Sequence, residues 1–261
     1  MFKPPYFMGI DGGTGSVRVT IFDQDGNNIG SKVAEYNTCY PKSGWAEQNP
    51  EEWWQALKEA VPGAIGIAGI KASDIKAISC DATTSTVVLL DQNEKVIRPA
   101  ILWMDVRSAD QAKRIYDTKH RMIKFYMAGV PAESLVPKCL WIKENEPQNW
   151  DKAKVVFEYT NWLHWKLTGN INANISVAAL RWFYDEPQGG YQKDFYEAIG
   201  LGDIMDKFPS KVLHLGETQG TVTKEAAELL GLAEGTLVGE GALDACAAMI
   251  GINVVESGGM A

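Results

Sequence analysis

Cysteine and histidine are scarce in this sequence of 261 residues, and their positions exclude two common kinds of site. Four cysteines and three histidines lie far apart, and no two cysteines form a CxxC pair. The sequence therefore has neither the ligand spacing of a zinc site nor the dense cysteine framework of a disulfide-stabilised protein. We expect all four thiols to be reduced, namely those of Cys39, Cys80, Cys139 and Cys246.

Positively charged residues and long apolar runs are also scarce in this sequence. Lys and Arg number 25 against 33 Asp and Glu, a formal net charge of -8, so we expect no broad basic surface for nucleic acid or an anionic membrane. Apolar stretches such as residues 64–70 fall far short of the roughly 20 residues of a membrane-spanning helix, and the N-terminus lacks a signal-peptide pattern. Small-molecule partners and a cytoplasmic location are the expectation.

No linker-like run of Pro, Gly and Ser divides the chain, so we expect one continuous unit of mixed α and β structure. Period-two alternation near the N-terminus predicts an antiparallel meander of three strands joined by glycine turns. Asn49, Pro50 and Glu52 predict a capped helix start, and Pro62–Gly63 predicts its end or a kink. Strands are predicted at 6–11, 17–23, 29–36, 75–80, 86–90, 101–103, 155–159 and 236–239, and further helices after Ser108 and at 137–144, 161–167, 224–230 and 243–250.

The most informative segment is the glycine-rich turn in GIDGGTGSVRVTIFD, because it leads into a strand. P-loops and dinucleotide-binding turns lead instead into a helix whose N-terminus binds the phosphate, so neither pattern fits. One interpretation is a β-hairpin whose N–H groups at residues 12–16 face a phosphate, with Asp11 placed for a divalent cation. Thr14, Ser16 and Arg18 would add donors. A plain hairpin, in which glycine supplies positive φ, fits the turn equally well.

A second carboxylate stands out in GEGALDACAAMIG, where a glycine-rich loop leads into a helix of small apolar residues. Asp244 lies at this junction. In an arbitrary protein the simplest interpretation is a helix N-cap, because Asp before a helix accepts backbone N–H bonds. The residues alone therefore leave a chemical role for Asp244 open.

The sequence resembles the superfamily of sugar kinases, actin and Hsp70, and more closely the FGGY family of carbohydrate kinases, which phosphorylate ketoses and polyols. The resemblance begins at the glycine turn and runs through essentially the whole chain. It continues in GWAEQNPEEWW at 44–54, ILWMDVR at 101–107, PKCLW at 137–141, LTG at 167–169 and the stretch 239–251. It implies an α/β fold of the actin-like, ribonuclease H-like ATPase type, with a mixed sheet flanked by helices.

The resemblance also implies a role for each candidate site residue. It makes Asp244 the general base that takes the proton from the hydroxyl attacking the γ-phosphate of ATP. It implies ATP binding by Asp11, Gly12, Gly13, Thr14, Gly15, Ser16 and Arg18, with Asp11 toward Mg²⁺. It implies sugar binding by Asp81, Thr83, Trp103, Asp105, Arg107 and Asp244. Without the resemblance, Trp103 fits core packing at a strand end, and Asp105 with Arg107 fits a surface ion pair.

Two segments, CDATTS at 80–85 and WMD at 103–105, resemble the ribulokinase-like branch of the family. Xylulokinases and glycerol kinases carry other residues at 82–85, whereas Val106 stands where the ribulokinase branch often has histidine, so the exact sugar stays open. We predict ATP-dependent phosphorylation of a hydroxyl of a pentulose or a related polyol. The alternatives are a xylulose, glycerol or erythritol kinase of the same family and a sugar-binding module without catalysis. An actin-like ATPase is disfavoured by the sugar-site segments.

FGGY kinases have two actin-like domains, and the second carries the adenosine pocket. We expect residues 1–261 to form the N-terminal, sugar-binding domain with the first phosphate motif. Residues 257–261 fall about where the crossover to the nucleotide-binding domain would begin, so we expect that domain to be absent and the isolated chain to be inactive. The expected ligands are a sugar or polyol, ATP and Mg²⁺, with no nucleic acid or membrane partner, and a homodimer is left open.

Overall fold

The computed structural model describes residues 3–124 and 126–254, so the predicted loop at the C-terminus lies outside the described residues. The strands are β1 (Tyr6–Gly12), β2 (Ser16–Phe22), β3 (Asn28–Glu35), β4 (Glu47–Gln48), β5 (Ile75–Ala82), β6 (Val87–Leu90), β7 (Ala100–Ile101), β8 (Val155–Glu158), β9 (Ala173–Asn174), β10 (Tyr184–Asp185), β11 (Gly190–Tyr191), β12 (Val212–Leu213), β13 (Thr218–Thr221) and β14 (Leu237–Gly239). The helices are α1 (Pro50–Ala68), α2 (Ala109–Asp117), α3 (Leu135–Asn145), α4 (Pro147–Lys152), α5 (Tyr159–Thr168), α6 (Ile175–Arg181), α7 (Lys193–Ala198), α8 (Lys224–Leu230) and α9 (Asp244–Gly251).

The central sheet has six strands in the order β13-β14-β5-β1-β2-β3. The predicted meander is confirmed, because β1 pairs antiparallel with β2 and β2 pairs antiparallel with β3. The other side of β1 pairs in parallel with β5, and β5 pairs in parallel with β14. Strand β13 then pairs antiparallel with β14. Parallel β1 and β5 end at the same edge of the sheet, so residues 11–12 lie beside residues 81–82. This edge brings the first two acidic candidates together.

Helix α1 crosses from β3 to β5 and packs on the meander. Asn49 caps it as predicted, because its side chain accepts a hydrogen bond from the backbone N–H of Glu51. The helix does not end at Pro62 but continues to Ala68, because Pro62 lies on the exposed face, where water can satisfy the carbonyl that its missing N–H leaves free. It ends at Gly69, whose φ of 66° is the left-handed conformation common after helices.

A second sheet of four strands, in the order β4-β7-β6-β8, supports the loops that carry the candidate sugar residues. Trp53 of α1 stacks on Tyr159 of α5, with ring centroids 3.9 Å apart, and the two helices join the sheets into one hydrophobic core. The predicted strand at 101–103 is shorter than expected, since Trp103 lies in a turn after β7. The predicted α/β class with a mixed sheet flanked by helices is confirmed.

Three simpler expectations can also be compared with the structure. No described helix combines the length and the apolar composition that a membrane span requires. Ser108 does precede α2, but its hydroxyl donates to the carbonyl of Ala132, 2.7 Å away, and does not cap the helix. The four cysteines form no disulfide within the described chain.

Candidate functional site

The glycine turn between β1 and β2 presents unpaired backbone N–H groups. Its closing hydrogen bond runs from Gly13 N to Ser16 O over 2.9 Å, and Gln48 Nε2 supports it from behind by donating to Thr14 O over 2.7 Å. Among the described residues, the N–H groups of Thr14 and Gly15 have no protein acceptor. Unpaired amides on a tight turn fit a phosphate group, so this part of the chain suits the predicted ATP contact.

Gly12 is required by close packing rather than by its φ angle. A Cβ at this position would lie 2.7 Å from the ring of Tyr159 and 3.0 Å from Cβ of Ala82. At Gly15, by contrast, a Cβ would meet no atom within 4 Å, so this side of the turn opens outward. The turn is therefore pressed against the core at one end and free toward the site at the other.

Three carboxylates converge beside this turn. Asp11 lies opposite Arg18 on β2 and opposite Asp81 on β5, so strand pairing alone aligns these three residues. Burial, the neighbouring charge of Asp11, a hydrogen bond shared with Asp11 and the charge of Asp244 raise the pKa of Asp81 to about 7. The Asp81 carboxyl therefore keeps its proton to a higher pH than an ordinary aspartate.

Asp244 approaches from the other side, at the start of α9. The structure corrects the capping interpretation: Leu243 occupies the N-cap, and Asp244 is the first helical residue. Its Oδ1 accepts a hydrogen bond from Ala245 N, 2.7 Å away. Burial raises the pKa of Asp244, the Ala245 N–H partly opposes that effect, and the charge of Asp11 raises the pKa further. A carboxylate with a raised pKa is better suited to accept a proton than an ordinary one.

The donor set suits a hard divalent cation that keeps most of its water. No cluster of three or more His, Cys, Asp or Glu in the described ranges could hold a metal ion by protein ligands alone. Mg²⁺ is usually bound through one or two carboxylates together with water and substrate phosphates. Asp11, with Asp81 beside it, meets this smaller requirement next to the amides of the turn.

Trp103 and Thr83 join the site through the glycine turn. The indole Nε1 of Trp103 donates to Thr14 Oγ1 over 3.0 Å, while 41% of the residue stays exposed. Thr83 N donates to Gly12 O over 3.1 Å, and the Thr83 hydroxyl lies 3.4 Å from that of Thr86. Of the predicted sugar residues, Asp81, Thr83 and Trp103 therefore gather at the turn, and an exposed aromatic face is available to a ligand.

Asp105 and Arg107 do not reach this site. Both side chains are fully buried, with Arg107 Nη2 2.7 Å from Asp105 Oδ2. The same carboxylate also accepts hydrogen bonds from Ala46 N over 2.7 Å and from Arg107 N over 2.9 Å. This placement removes both residues from the sugar ligands, and it equally overturns the surface ion pair considered from the sequence. They tie the segment after β7 to the residues before β4.

The GWAEQ segment supplies the rest of that buried framework. The indole of Trp45 lies over the guanidinium of Arg107, 3.8 Å from ring centroid to Cζ, and Trp141 packs against the same group at 5.0 Å. Glu47 pairs with Arg107 over 2.8 Å. The side-chain oxygen of Gln48 accepts a hydrogen bond from the Trp53 indole over 2.8 Å, and its Nε2 donates to the Thr14 carbonyl in the glycine turn. The GWAEQ motif thus supports the glycine turn and the segment after β7 from the buried side.

Two buried charges that sequence reasoning left without a role hold the turn at 83–86. Lys138 Nζ donates to three carbonyls, those of Leu102 (2.6 Å), Ser85 (2.9 Å) and Trp103 (3.3 Å). Glu158 accepts hydrogen bonds from Ser85 N and, at 3.0 Å, from Thr84 Oγ1. The only sequence signal for Lys138 is a charged residue inside the apolar run LVPKCLWI, and this signal does not say which atoms the ammonium meets.

The strain in this turn explains why such strong partners are needed. Ser85 has a φ of 64°, a left-handed conformation that is unfavourable for residues other than glycine. Burial lowers the pKa of Lys138 to about 7, although Asp105 and Glu158 act in the opposite direction. Burial also raises the pKa of Glu158 to about 7, against the hydrogen bonds from Trp182, Ser85 and Thr84. Both groups therefore pay a desolvation cost to fix the backbone behind Trp103.

A cleft of about 330 Å³ opens between Asp81 at the sheet edge and Ala247 and Ile250 of α9. A larger hollow, about 710 Å³, lies beside α6 and is lined by Tyr126, Arg181 and other residues. None of the predicted site residues lines the larger hollow. The chemistry of the chain therefore points to the smaller cleft and the glycine turn beside it.

The sheet order, the glycine hairpin and the converging carboxylates define a domain of the actin-like ATPase class. The xylulose kinase of Rhodospirillum rubrum has this fold, with a TM-score of 0.87 and 25% identity over 97% of this chain and 52% of that chain. Plasmodium falciparum glycerol kinase with ADP has it as well, with a TM-score of 0.85 and 19% identity over 99% of this chain and 52% of that chain. The predicted actin-like fold is thus confirmed.

The chain belongs to the FGGY family of carbohydrate kinases, whose N-terminal domain matches residues 6–251. It is 32% identical to the xylulose kinase of Lactococcus lactis over 96% of this chain and 50% of that protein. It is 33% identical to the human FGGY carbohydrate kinase domain-containing protein over 95% of this chain and 47% of that protein. It is 27% identical to the ribulokinase of Geobacillus thermodenitrificans over 97% of this chain and 50% of that protein. The chain spans about half the length of the curated relatives it matches, and these do not single out the ribulokinase branch.

Proposed function

We propose that this chain is the sugar- and phosphate-binding half of an ATP-dependent kinase that phosphorylates a hydroxyl group of a ketopentose. The observation that carries the proposal is the convergence of Asp11, Asp81 and Asp244 beside a turn with unpaired amides. Phosphoryl transfer asks a protein mainly for alignment and for stabilisation of charge, and this arrangement provides groups for both. Because ATP is the proposed phosphoryl donor, we propose the cytoplasm as the compartment.

Each residue of the turn region has a separate task in this proposal. The N–H groups of Thr14 and Gly15, with Arg18, hold phosphate oxygens, and Asp11 holds Mg²⁺, which would neutralise charge on the phosphates. Asp244 takes the proton of the attacking sugar hydroxyl, a role that its raised pKa supports. The two carboxylates thus act on opposite ends of the transferred group.

The ketopentose is proposed from the relatives and from the exposed groups. The relatives include xylulose kinases and a ribulokinase, whose names specify five-carbon ketoses. Trp103 offers an exposed ring face for the carbon chain, and Asp81 offers a carboxyl group for its hydroxyls. Asp105 and Arg107 belong to the support of Trp103 rather than to the ligand set.

The first test is the melting temperature of the 261-residue chain with millimolar xylulose, ribulose, ribitol, arabinitol, erythritol, glycerol or gluconate. A ligand that binds only the folded state raises this temperature. We expect an increase with xylulose or ribulose that the variant Trp103→Ala loses. An increase with glycerol or gluconate alone would refute the ketopentose assignment, and no increase with any compound would remove the support for a preformed sugar site.

The second test addresses the base, in a longer protein that carries this chain together with a nucleotide-binding half. Asp244→Asn should lower kcat by about 10²–10⁴-fold while the affinity for the sugar changes little. Asp25→Asn, in an exposed turn, is the matched control and should leave kcat unchanged. Retained turnover in Asp244→Asn would show that another group accepts the proton.

A further inference from the structure

A buried charge pair lies directly behind the loop that carries Asp244. His164 of α5 and Glu240, which follows β14, approach each other to 3.2 Å between Nδ1 and Oε1, and both side chains are completely buried. Burial alone lowers the pKa of His164, but the Glu240 carboxylate and the neighbouring Cys80 outweigh it and raise that pKa to about 10. The His164 ring therefore keeps its proton to a higher pH than an ordinary histidine.

Burying an ion pair of this kind in a hydrophobic core is energetically unfavourable. Removing two charges from water costs several kcal/mol per ion, and well-packed apolar residues of similar volume often stabilise a protein at least as much. A buried ion pair is therefore better explained by a geometric role than by stability. The hydrogen bonds of Glu240 show which part of the backbone the pair keeps in place.

The carboxylate of Glu240 is bound to the segment that leads to Asp244. Asn174 Nδ2 donates to Glu240 Oε1 over 2.6 Å and also to the carbonyl of Gly241 over 2.7 Å. Gln219 Nε2 donates to the second carboxylate oxygen over 3.1 Å. Side chains from three separate parts of the chain thus converge on residues 240 and 241.

The same network reaches the residue before Asp244. The Oδ1 of Asn174 accepts from Ser176 N over 2.8 Å, and the Ser176 hydroxyl accepts from Leu243 N over 3.0 Å. Within the described ranges, the carboxylate of Asp244 itself receives a hydrogen bond from its neighbour Ala245 alone. The position of this carboxylate is thus set by the backbone of residues 240–243 and not by side-chain partners of its own.

We propose that His164 and Glu240 are positioning residues for Asp244: their buried ion pair fixes the backbone of residues 240–243 and so holds the Asp244 carboxylate facing Asp11 and Asp81. The meaning of this for catalysis rests on the proposed function. The positioning itself is a property of the 261-residue chain and is measurable without a reaction.

Two double variants with the same net charge test the proposal. His164→Leu with Glu240→Leu removes the pair and its hydrogen bonds, whereas His164→Gln with Glu240→Gln removes the charges but keeps groups that can bond to each other. The readout is the pH titration of the Asp244 carboxyl ¹³C signal, assigned by its loss in Asp244→Asn. Both doubles remove the same two charges, so a difference in the pKa of Asp244 between them reports movement of Asp244 and not the loss of the charges.

We expect the leucine double to lower the pKa of Asp244 by at least ~0.5, since a carboxylate that moves outward regains water and leaves Asp11. Amide exchange at residues 241–246 should rise by about tenfold or more. The glutamine double should restore at least half of both effects. His214→Leu, which breaks an exposed His214–Glu186 contact of 2.8 Å, is the control and should change neither.

An unchanged pKa of Asp244 in a folded leucine double would overturn the proposal, even if its melting temperature fell. If that double does not fold, Asn174→Ala tests the link through which the pair acts, because it removes the hydrogen bonds from Asn174 to Glu240 Oε1 and to the Gly241 carbonyl; an unchanged pKa of Asp244 in this variant would also overturn the proposal. The proposed function is tested separately: in a longer, active protein the leucine double should lower kcat with little change in the KM for sugar. A shifted pKa without any sugar kinase activity would uphold the positioning and refute the function.

Discussion

Gly241 provides the sharpest test of how tightly the loop before Asp244 is packed. In Gly241→Ala the new Cβ would lie 1.9 Å from the carbonyl oxygen of Cys80, about 1.5 Å short of an ordinary contact at 3.4 Å, and 3.0 Å from Ser79 Oγ. The first obstacle is backbone of β5, which cannot rotate away as a flexible side chain can. The loop must therefore move away from the sheet edge.

The cost of this movement has two parts. Forced overpacking in a core typically costs about 1–3 kcal/mol. Movement of the loop also breaks the 2.7 Å hydrogen bond from Asn174 to the Gly241 carbonyl, and an unsatisfied buried acceptor costs a further 1–3 kcal/mol or so. We expect a loss of about 3 kcal/mol in the free energy of unfolding, and hence a fall of about 6–12 °C in melting temperature for a domain of this size.

Urea unfolding followed by tryptophan fluorescence measures this loss, and the chain contains nine tryptophans as reporters. Gly66→Ala is the matched control. Gly66 is exposed near the end of α1, and a Cβ there would meet no atom within 4 Å. The control should be more stable than the wild type by about 0.5–1 kcal/mol, because alanine favours the helix. A Gly241→Ala variant within ~0.5 kcal/mol of the wild type would show that the loop does not pack on β5 as described.

Two further predictions concern the buried charges behind Trp103. Lys138→Met leaves three buried carbonyls without their donor, so the free energy of unfolding should fall by about 3 kcal/mol. The variant should also abolish any sugar-induced rise in melting temperature. Lys113→Met, at an exposed lysine, is the control and should have neither effect. Glu158 has a folded pKa of about 7, above its ordinary 4.5, so its contribution to stability is complete below pH 4.5 and is lost as pH rises to about 7. Between pH 4.5 and pH 7.5, the free energy of unfolding measured in urea should fall by about 3 kcal/mol more for the wild type than for Glu158→Gln. Equal decreases in the two proteins would contradict the raised pKa of Glu158.

The regular elements of this fold are largely local in origin, so much of the fold was predictable. Alternation predicts the meander because successive side chains of a strand face opposite sides, and β2 shows this with Val17, Val19 and Ile21 completely buried. Asn49 and Pro50 predict the start of α1 because capping involves only neighbouring backbone groups. Pro62 misled the prediction because tertiary packing of the buried face maintains the helix past it.

The candidate site was predictable only in part. Asp11 was found because it ends the first strand before the glycine turn, and Asp244 because it lies where a glycine-rich loop leads into a helix, whereas Asp81 came from the family resemblance. Asp105 and Arg107 were misassigned, since a charged pair in a loop has the same sequence signature whether it faces a ligand or pairs inward. The Trp103 side chain does reach the turn, but its partner Thr14 is 89 residues away in the sequence.

The sequence by itself determined the class of structure, the family and which acidic residues could do chemistry, because periodicity, capping and motif order are local. Tertiary structure alone decided which charged side chains are buried and what they hold. Lys138 meets the carbonyl of Ser85 53 residues away, and Asn174 meets Glu240 66 residues away. Such contacts depend on the packing of whole elements, and the pKa values of the groups depend in turn on the burial which that packing creates.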